Sequence, residues 1–186
     1  WQGAAPLVPF AGEAGLRPDG DVVAAQRASG GPGFPLLVEC YMALTANYAI
    51  RLAEAAKHLD IHWWEEVLSP DDVEGFREIK RAHPYVKWTT GEHEYTRYGF
   101  RQLIEERTLD ILQPDVMWVG GMTELLKIAA HASAYDIPVV PHGSGPYSYH
   151  FISSQTGPAF CQHFPPSPQG RSPPPLFRLL SSPSSP

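Results

Sequence analysis

Between residues 35 and 142, short apolar or aromatic runs alternate with segments in which apolar side chains recur every three or four positions. Runs of the first kind suit strands buried on both faces, and the second kind suits helices laid against them. Strands are predicted over 35–39, 61–65, 86–92, 111–115 and 138–142. Thr45 can cap a helix whose apolar positions are Tyr48, Leu52, Ala55 and Leu59. Ser69, followed by Pro70, Asp71 and Asp72, marks a second helix start, because proline suits the first helical position and acids suit the positive end of the dipole. Helices are also predicted over 98–106 and over 123–135, the last carrying Leu126, Ile128, Ala129 and Ala130. Four βα units in tandem predict an α/β fold with a parallel sheet or barrel.

The flanks differ. Residues 1–34 are rich in Gly, Ala and Pro and predict an irregular lead-in with one short helix over 21–28. Residues 165–186 contain eight prolines and six serines, a composition that suits neither a regular helix nor a central strand, so an extended or disordered tail is expected. The expected organisation is therefore a lead-in (1–34), βα barrel units carrying the site (35–164) and a tail (165–186).

Composition narrows the chemistry. A chain of 186 residues that is 43% hydrophobic can bury a sizeable core. With 14 Lys and Arg against 20 Asp and Glu, the net charge of -6 argues against a nucleic-acid partner. Cys40 and Cys161 stand far apart, with neither a disulfide framework nor a zinc spacing, which fits a reducing, cytoplasmic setting. No run approaches the roughly 20 apolar residues that a membrane helix needs.

Each predicted strand ends in an ionisable residue: Glu39, Glu65, Glu92, Asp115 and His142, spaced by 26, 27, 23 and 27 positions. In a parallel βα barrel all strand C-termini open on one face, where active sites are built. Three successive carboxylates make a hard oxygen site suited to Mg²⁺, with Mn²⁺ as an alternative. An Asp followed one strand later by a His makes a base with an orienting partner. His58, His62, His83 and His131 fall on helices or strand starts and read as structural or surface groups. Trp63, Trp64 and Trp88 read as packing, and Trp118 as a packing residue able to line the mouth of the site. Gly120-Gly121 reads as a tight turn, and Gly143, Ser144 and Gly145 have the small, polar character of an active-site loop.

The segments VECYMALTANYA (38–49), HWWEEVLSPDD (62–72), KWTTGEHEYTRYGF (87–100), DILQPDVMWVGGMTELLKIAA (110–130) and VVPHGSGPYSYH (139–150) resemble the L-rhamnonate dehydratase branch of the mandelate racemase group, within the enolase superfamily. The likeness covers residues 6–163. It implies a TIM-type β/α barrel, here partial and without the family's N-terminal capping domain and first strand. It also implies that Glu39, Glu65 and Glu92 hold Mg²⁺, that Asp115 and His142 form the catalytic dyad, and that His93 is a further active-site histidine. The implied reaction is dehydration of a sugar acid, L-rhamnonate or a close aldonate, to a 2-keto-3-deoxy sugar acid. A homo-oligomer without membrane or nucleic-acid partners is implied as well.

Three positions depart from that family. Glu39 stands where the family normally has Asp, Val67 where it tends to have Pro, and Gln162 where it has Glu at the end of the last strand. A Gln amide can donate a hydrogen bond but cannot transfer a proton. Two other readings follow. A racemase or epimerase of the same group commonly uses a second base from a Lys pair, yet no lysine precedes Lys57. A catalytically silent barrel with a structural or subunit-interaction role is the other, and the expectation is that this chain by itself is at best a weak dehydratase.

Overall fold

The computed structural model describes residues 13–143, 145–155 and 162. The tail, Cys161, Ser144 and the first twelve residues of the lead-in lie outside them. The chain divides into two compact units, residues 1–90 with 102–111 and residues 91–101 with 112–186.

The first unit contains α1 (Glu13–Gly30), β1 (Leu36–Glu39), α2 (Ala46–Ala55), a 3-10 turn over Lys57–Leu59, β2 (Ile61–Glu65), α3 (Val73–Ala82) and β3 (Trp88–Thr90). The strands run in parallel in the order β1-β2-β3, joined by β4 (Ile111–Leu112). Parallel strands require crossovers, and α2 and α3 supply them. This is the βαβ repeat of a β/α barrel, as the sequence predicts, and the strands present form part of one. Trp64 pairs with Trp88 in register, and their rings lie 6.5 Å apart. Both are buried, with Leu52, Phe76 and Ile79 among the other fully enclosed side chains.

Several elements differ in detail from the sequence expectation. Helix α1 spans 18 residues where a short helix over 21–28 was expected. Its weak intrinsic propensity is offset by anchors: Val23 is buried, and Tyr48 Oη donates to the buried Asp19 at 2.5 Å. Arg27 adds four bonds to backbone carbonyls: Nε to Leu59 O (2.8 Å), Nη2 to Asp60 O (2.7 Å), and Nη1 to both Gly31 O (2.9 Å) and Phe34 O (2.5 Å). Thr45 caps α2 as expected, but Ala55 is exposed, and Ala49, Ala53 and Ala56 fill the inner face instead. The ladder follows the helical period, but the buried stripe is centred to one side of it, through Leu52 and Ala56, so Ala55 falls beyond its edge. Asp72 rather than Ser69 caps α3, accepting from Gly75 N at 2.9 Å, while Ser69 to Asp72 form the preceding turn.

Helix α4 (Thr96–Glu105) has its first residues in the second unit and its last in the first. The rest of the second unit contains α5 (Met122–Ser133) and α6 (Pro146–Ser154), the latter unanticipated from the sequence. In α5 the inward face is Leu125, Ile128, Ala129 and Ala132, and Leu126 and Ala130 are exposed. The predicted fifth strand is reduced to two parallel bridges, Leu112 to Val139 and Asp115 to His142. Pro138 and Pro141 lack the N–H groups a longer ladder would need. Those two bridges suffice to place Asp115 and His142 side by side.

Candidate active site

Glu39 and Glu65 are the last residues of β1 and β2 and stand opposite one another in the parallel register. Tyr41 N donates to Glu39 Oε1 at 2.6 Å. Glu65 is 3% exposed. Its Oε2 accepts from Trp63 Nε1 at 3.0 Å. Residues two apart in a strand share a face, so Trp63 reaches the carboxylate that Trp64, on the opposite face, cannot. Trp63 therefore does more than pack. Among the described residues, Glu65 Oε1 and Trp88 Nε1 are the buried side-chain polar atoms left without a hydrogen-bond partner. A buried carboxylate oxygen with nothing to accept from is costly unless a cation compensates it. Glu65 thus fits a metal ligand, and its register partner Glu39 brings a second hard oxygen donor.

In the second unit, Glu92, His93, Asp115 and His142 assemble closely. His142 Nδ1 lies 2.9 Å from Asp115 Oδ2, and His142 Nε2 lies 3.1 Å from Glu92 Oε2. His93 Nδ1 is 3.5 Å from Glu92 Oε1. Asp115 is itself oriented: its Oδ1 accepts from Met117 N at 2.7 Å and Trp118 N at 3.2 Å, leaving Oδ2 for the imidazole. The backbone repeats the pairing, since His142 N donates to Pro114 O at 3.1 Å. Asp115 thus takes the Nδ1 side of the ring, and Nε2 is turned toward Glu92.

Around this group, the Trp118 ring meets the His93 ring edge-on at 5.4 Å and is half-exposed, so it flanks the histidine as well as packing. Gln162 Oε1 accepts from Gly143 N at 3.2 Å, and Gln162 N donates to Pro141 O at 3.3 Å. The Gln162 amide nitrogen is then the group on that side chain that can donate. Ser148, buried on α6, donates to Gly143 O at 2.6 Å and so braces the turn after His142. Sequence reasoning missed Ser148 because α6 carries no periodic apolar pattern.

His62, His83 and His131 pack or bond within the fold. His83 is buried between Ile50 O and Tyr85 Oη, each 2.9 Å from a ring nitrogen. His131 packs on Tyr135, and His62 on Trp63, with burial and the nearby Lys87 charge holding the His62 imidazole below its ordinary pKa.

Carboxylates closing the parallel strands β1 and β2, and Asp115 bridged to His142, fit an enolase-type barrel domain. The chain belongs to the enolase C-terminal domain-like family, whose profile matches residues 8–175. L-rhamnonate dehydratase of Saccharopolyspora erythraea is 46% identical over 173 residues, covering 92% of this chain and 44% of that protein. The crystal structure of L-rhamnonate dehydratase from Gibberella zeae is 58% identical with a TM-score of 0.85, covering 92% of this chain and 44% of that one. The crystal structure of rhamnonate dehydratase from Gibberella zeae complexed with Mg is 60% identical with a TM-score of 0.81, covering 84% and 38% respectively. The chain thus spans less than half the length of these relatives. Among the described residues, no helix is long and apolar enough to cross a membrane.

Proposed function

We propose that this chain carries the catalytic face of a Mg²⁺-dependent sugar-acid dehydratase acting on L-rhamnonate or a close aldonate. The observation that carries the reading is His142 held through Nδ1 by an oriented Asp115, with Nε2 turned toward Glu92 as the proton-exchanging atom of this proposal. The similarity to L-rhamnonate dehydratases supports the substrate class. Glu39, Glu65 and Glu92, from successive strand ends, are the residues that would hold Mg²⁺. The orphaned Glu65 oxygen and the Mg complex of a relative support that assignment. Bound there, the cation would supply positive charge against the negative charge that builds on the substrate carboxylate as C2 loses its proton.

His142 Nε2 receives the C2 proton while Asp115 keeps the ring in its productive tautomer and stabilises the imidazolium. The C3–O bond then breaks, and the proton returns from His142 to the departing hydroxyl, which leaves as water. The enol product tautomerises to the 2-keto-3-deoxy acid. His93, packed on Trp118, is placed to orient Glu92 or to contact a substrate hydroxyl, and the Gln162 amide donates a hydrogen bond where the family's Glu would stand. A homo-oligomeric, cytoplasmic enzyme completes the reading.

A catalytically silent barrel is the second reading, favoured by Glu39, whose Oε1 is already engaged by Tyr41 N, and by the neutral Gln162. Exchange of the C2 hydrogen of L-rhamnonate in deuterated water with Mg²⁺, followed by NMR, separates the two. Exchange that vanishes in His142→Asn supports the dehydratase; no exchange in the unchanged chain supports silence, and exchange persisting in His142→Asn moves the base elsewhere.

A further inference from the structure

Glu66 is a second buried carboxylate beside Glu65, 1% exposed and with φ of +48°. Left-handed backbone is uncommon at a glutamate and persists where the surroundings enforce it. Its effect is geometric. Successive strand side chains point to opposite faces, and the twist at residue 66 breaks that alternation just after β2. Two adjacent carboxylates are thereby enclosed together, an expensive arrangement with no obvious packing benefit.

The far end of the Glu66 side chain shows what enforces it: Thr90 Oγ1, fully buried, donates to Glu66 Oε1. The backbone runs alongside, with Glu66 N donating to Thr89 O at 3.0 Å and Glu65 facing Thr89 in register. Thr90 ends β3, two residues before Glu92 in the chain. The Glu66–Thr90 bond therefore ties the tip of the strand that bears Glu65 to the tip of the strand that leads to Glu92. A bond between two buried groups, one of them ionisable, is strong and geometrically narrow.

We propose that Glu66 and Thr90 form a positioning clamp that sets the end of β2 so that Glu65 presents its unpartnered oxygen to a divalent cation. This rests on the assignment of Glu65 as a metal ligand. Neither clamp residue touches the ion; each acts through Glu65.

Binding of Mn²⁺ alone to the full 186-residue chain, followed by electron paramagnetic resonance, tests it. Thr90→Val, which keeps the shape and removes the hydroxyl, should weaken Mn²⁺ by about 10- to 100-fold, the usual effect of losing a group that orients a ligand. Thr90→Ser, which restores the hydroxyl, should bind within about twofold of the unchanged chain on the same scale. Should valine prevent folding, judged by circular dichroism, Thr90→Ala removes the same hydroxyl and decides. Unchanged affinity without the hydroxyl, or a Thr90→Ser chain as weak as Thr90→Val, overturns the clamp. Glu65→Gln in the same assay checks the underlying assignment separately. If it binds as tightly as the unchanged chain, or the unchanged chain binds no Mn²⁺, the metal reading falls and the clamp with it.

Discussion

Asp115 holds His142 twice over, through the 2.9 Å contact from Oδ2 to Nδ1 and through the parallel backbone bridge between the two residues. The backbone bridge survives substitution of the side chain, so the two contributions can be separated. Asp115→Asn keeps the size and the bridge but replaces the acceptor with a group that can present an N–H to the imidazole. The expected outcome is a loss of C2-hydrogen exchange of about 10²- to 10⁴-fold, the usual contribution of a positioned base, with Mn²⁺ affinity little changed. NMR exchange rates and metal titration on the same sample check it.

Glu39→Asp should tighten Mg²⁺ binding. In the proposed ligand set, whose oxygens must sit about 2.1 Å from the ion, Glu39 carries one methylene more than the Asp of the family. Calorimetry should show the higher affinity, and Gln162→Glu in the same background should leave that affinity unaltered.

Gly91 has φ of +138°, and a Cβ there would stand 2.8 Å from Phe100 Cε1 and 3.2 Å from the Gln113 carbonyl carbon. Phe100 is fully buried and the second neighbour is backbone, so neither yields cheaply. Gly91→Ala is expected to destabilise the fold by about 1–3 kcal/mol, read from urea unfolding.

Tyr48→Phe leaves Asp19 buried without the phenol that donates to it, at a cost of about 1–3 kcal/mol. The Tyr48 phenol is pushed well above its ordinary value of 10.0, first by burial and then by the Asp19 carboxylate. A raised folded-state pKa gives stability that is complete below the unfolded value and is lost as pH climbs through the folded one. The unchanged chain should therefore lose stability above about pH 10, where an unfolded tyrosine begins to ionise, and Tyr48→Phe should lack that part of the slope. Thermal melts of both from pH 8 upward measure the difference.

Glu124 behaves oppositely. The Arg97 backbone N–H, and then its guanidinium, hold the Glu124 carboxyl below its ordinary value of 4.5. That support is present above pH 4.5 and is lost as pH falls through the lower folded value. Glu124→Gln should lack that support at neutral pH and so flatten the acid limb of the stability profile, the two chains converging at low pH, as circular dichroism can follow.

The sequence made the β/α alternation legible because buried parallel strands and amphipathic helices differ in period, and Glu39 and Glu65 do close β1 and β2, whereas Asp115 and His142 meet at an isolated bridge beyond β4. The inner face of α5 was harder to read: Leu125 and Leu126 are equally apolar, and only the packing decides which one turns inward. Glu66 and Thr90 were invisible as a pair, since a bond across 24 residues leaves no periodic trace. Trp63 carried a usable signal in its two-residue spacing from Glu65, which places both on one face of β2. Helix α1 was underestimated because its stability comes from Asp19 and Arg27, whose partners lie 29 to 33 residues away.

That dependence on distant partners governs how the protein breathes. Arg27 spends its guanidinium on carbonyls at the close of α1 and just ahead of β2, so α1 cannot peel away without stripping the entrance to β2. Local openings in such a structure occur in linked blocks rather than residue by residue. The amides at the close of α1 and those around Asp60 are accordingly expected to exchange with solvent deuterium at a common rate, although more than 30 residues of chain separate Arg27 from Asp60.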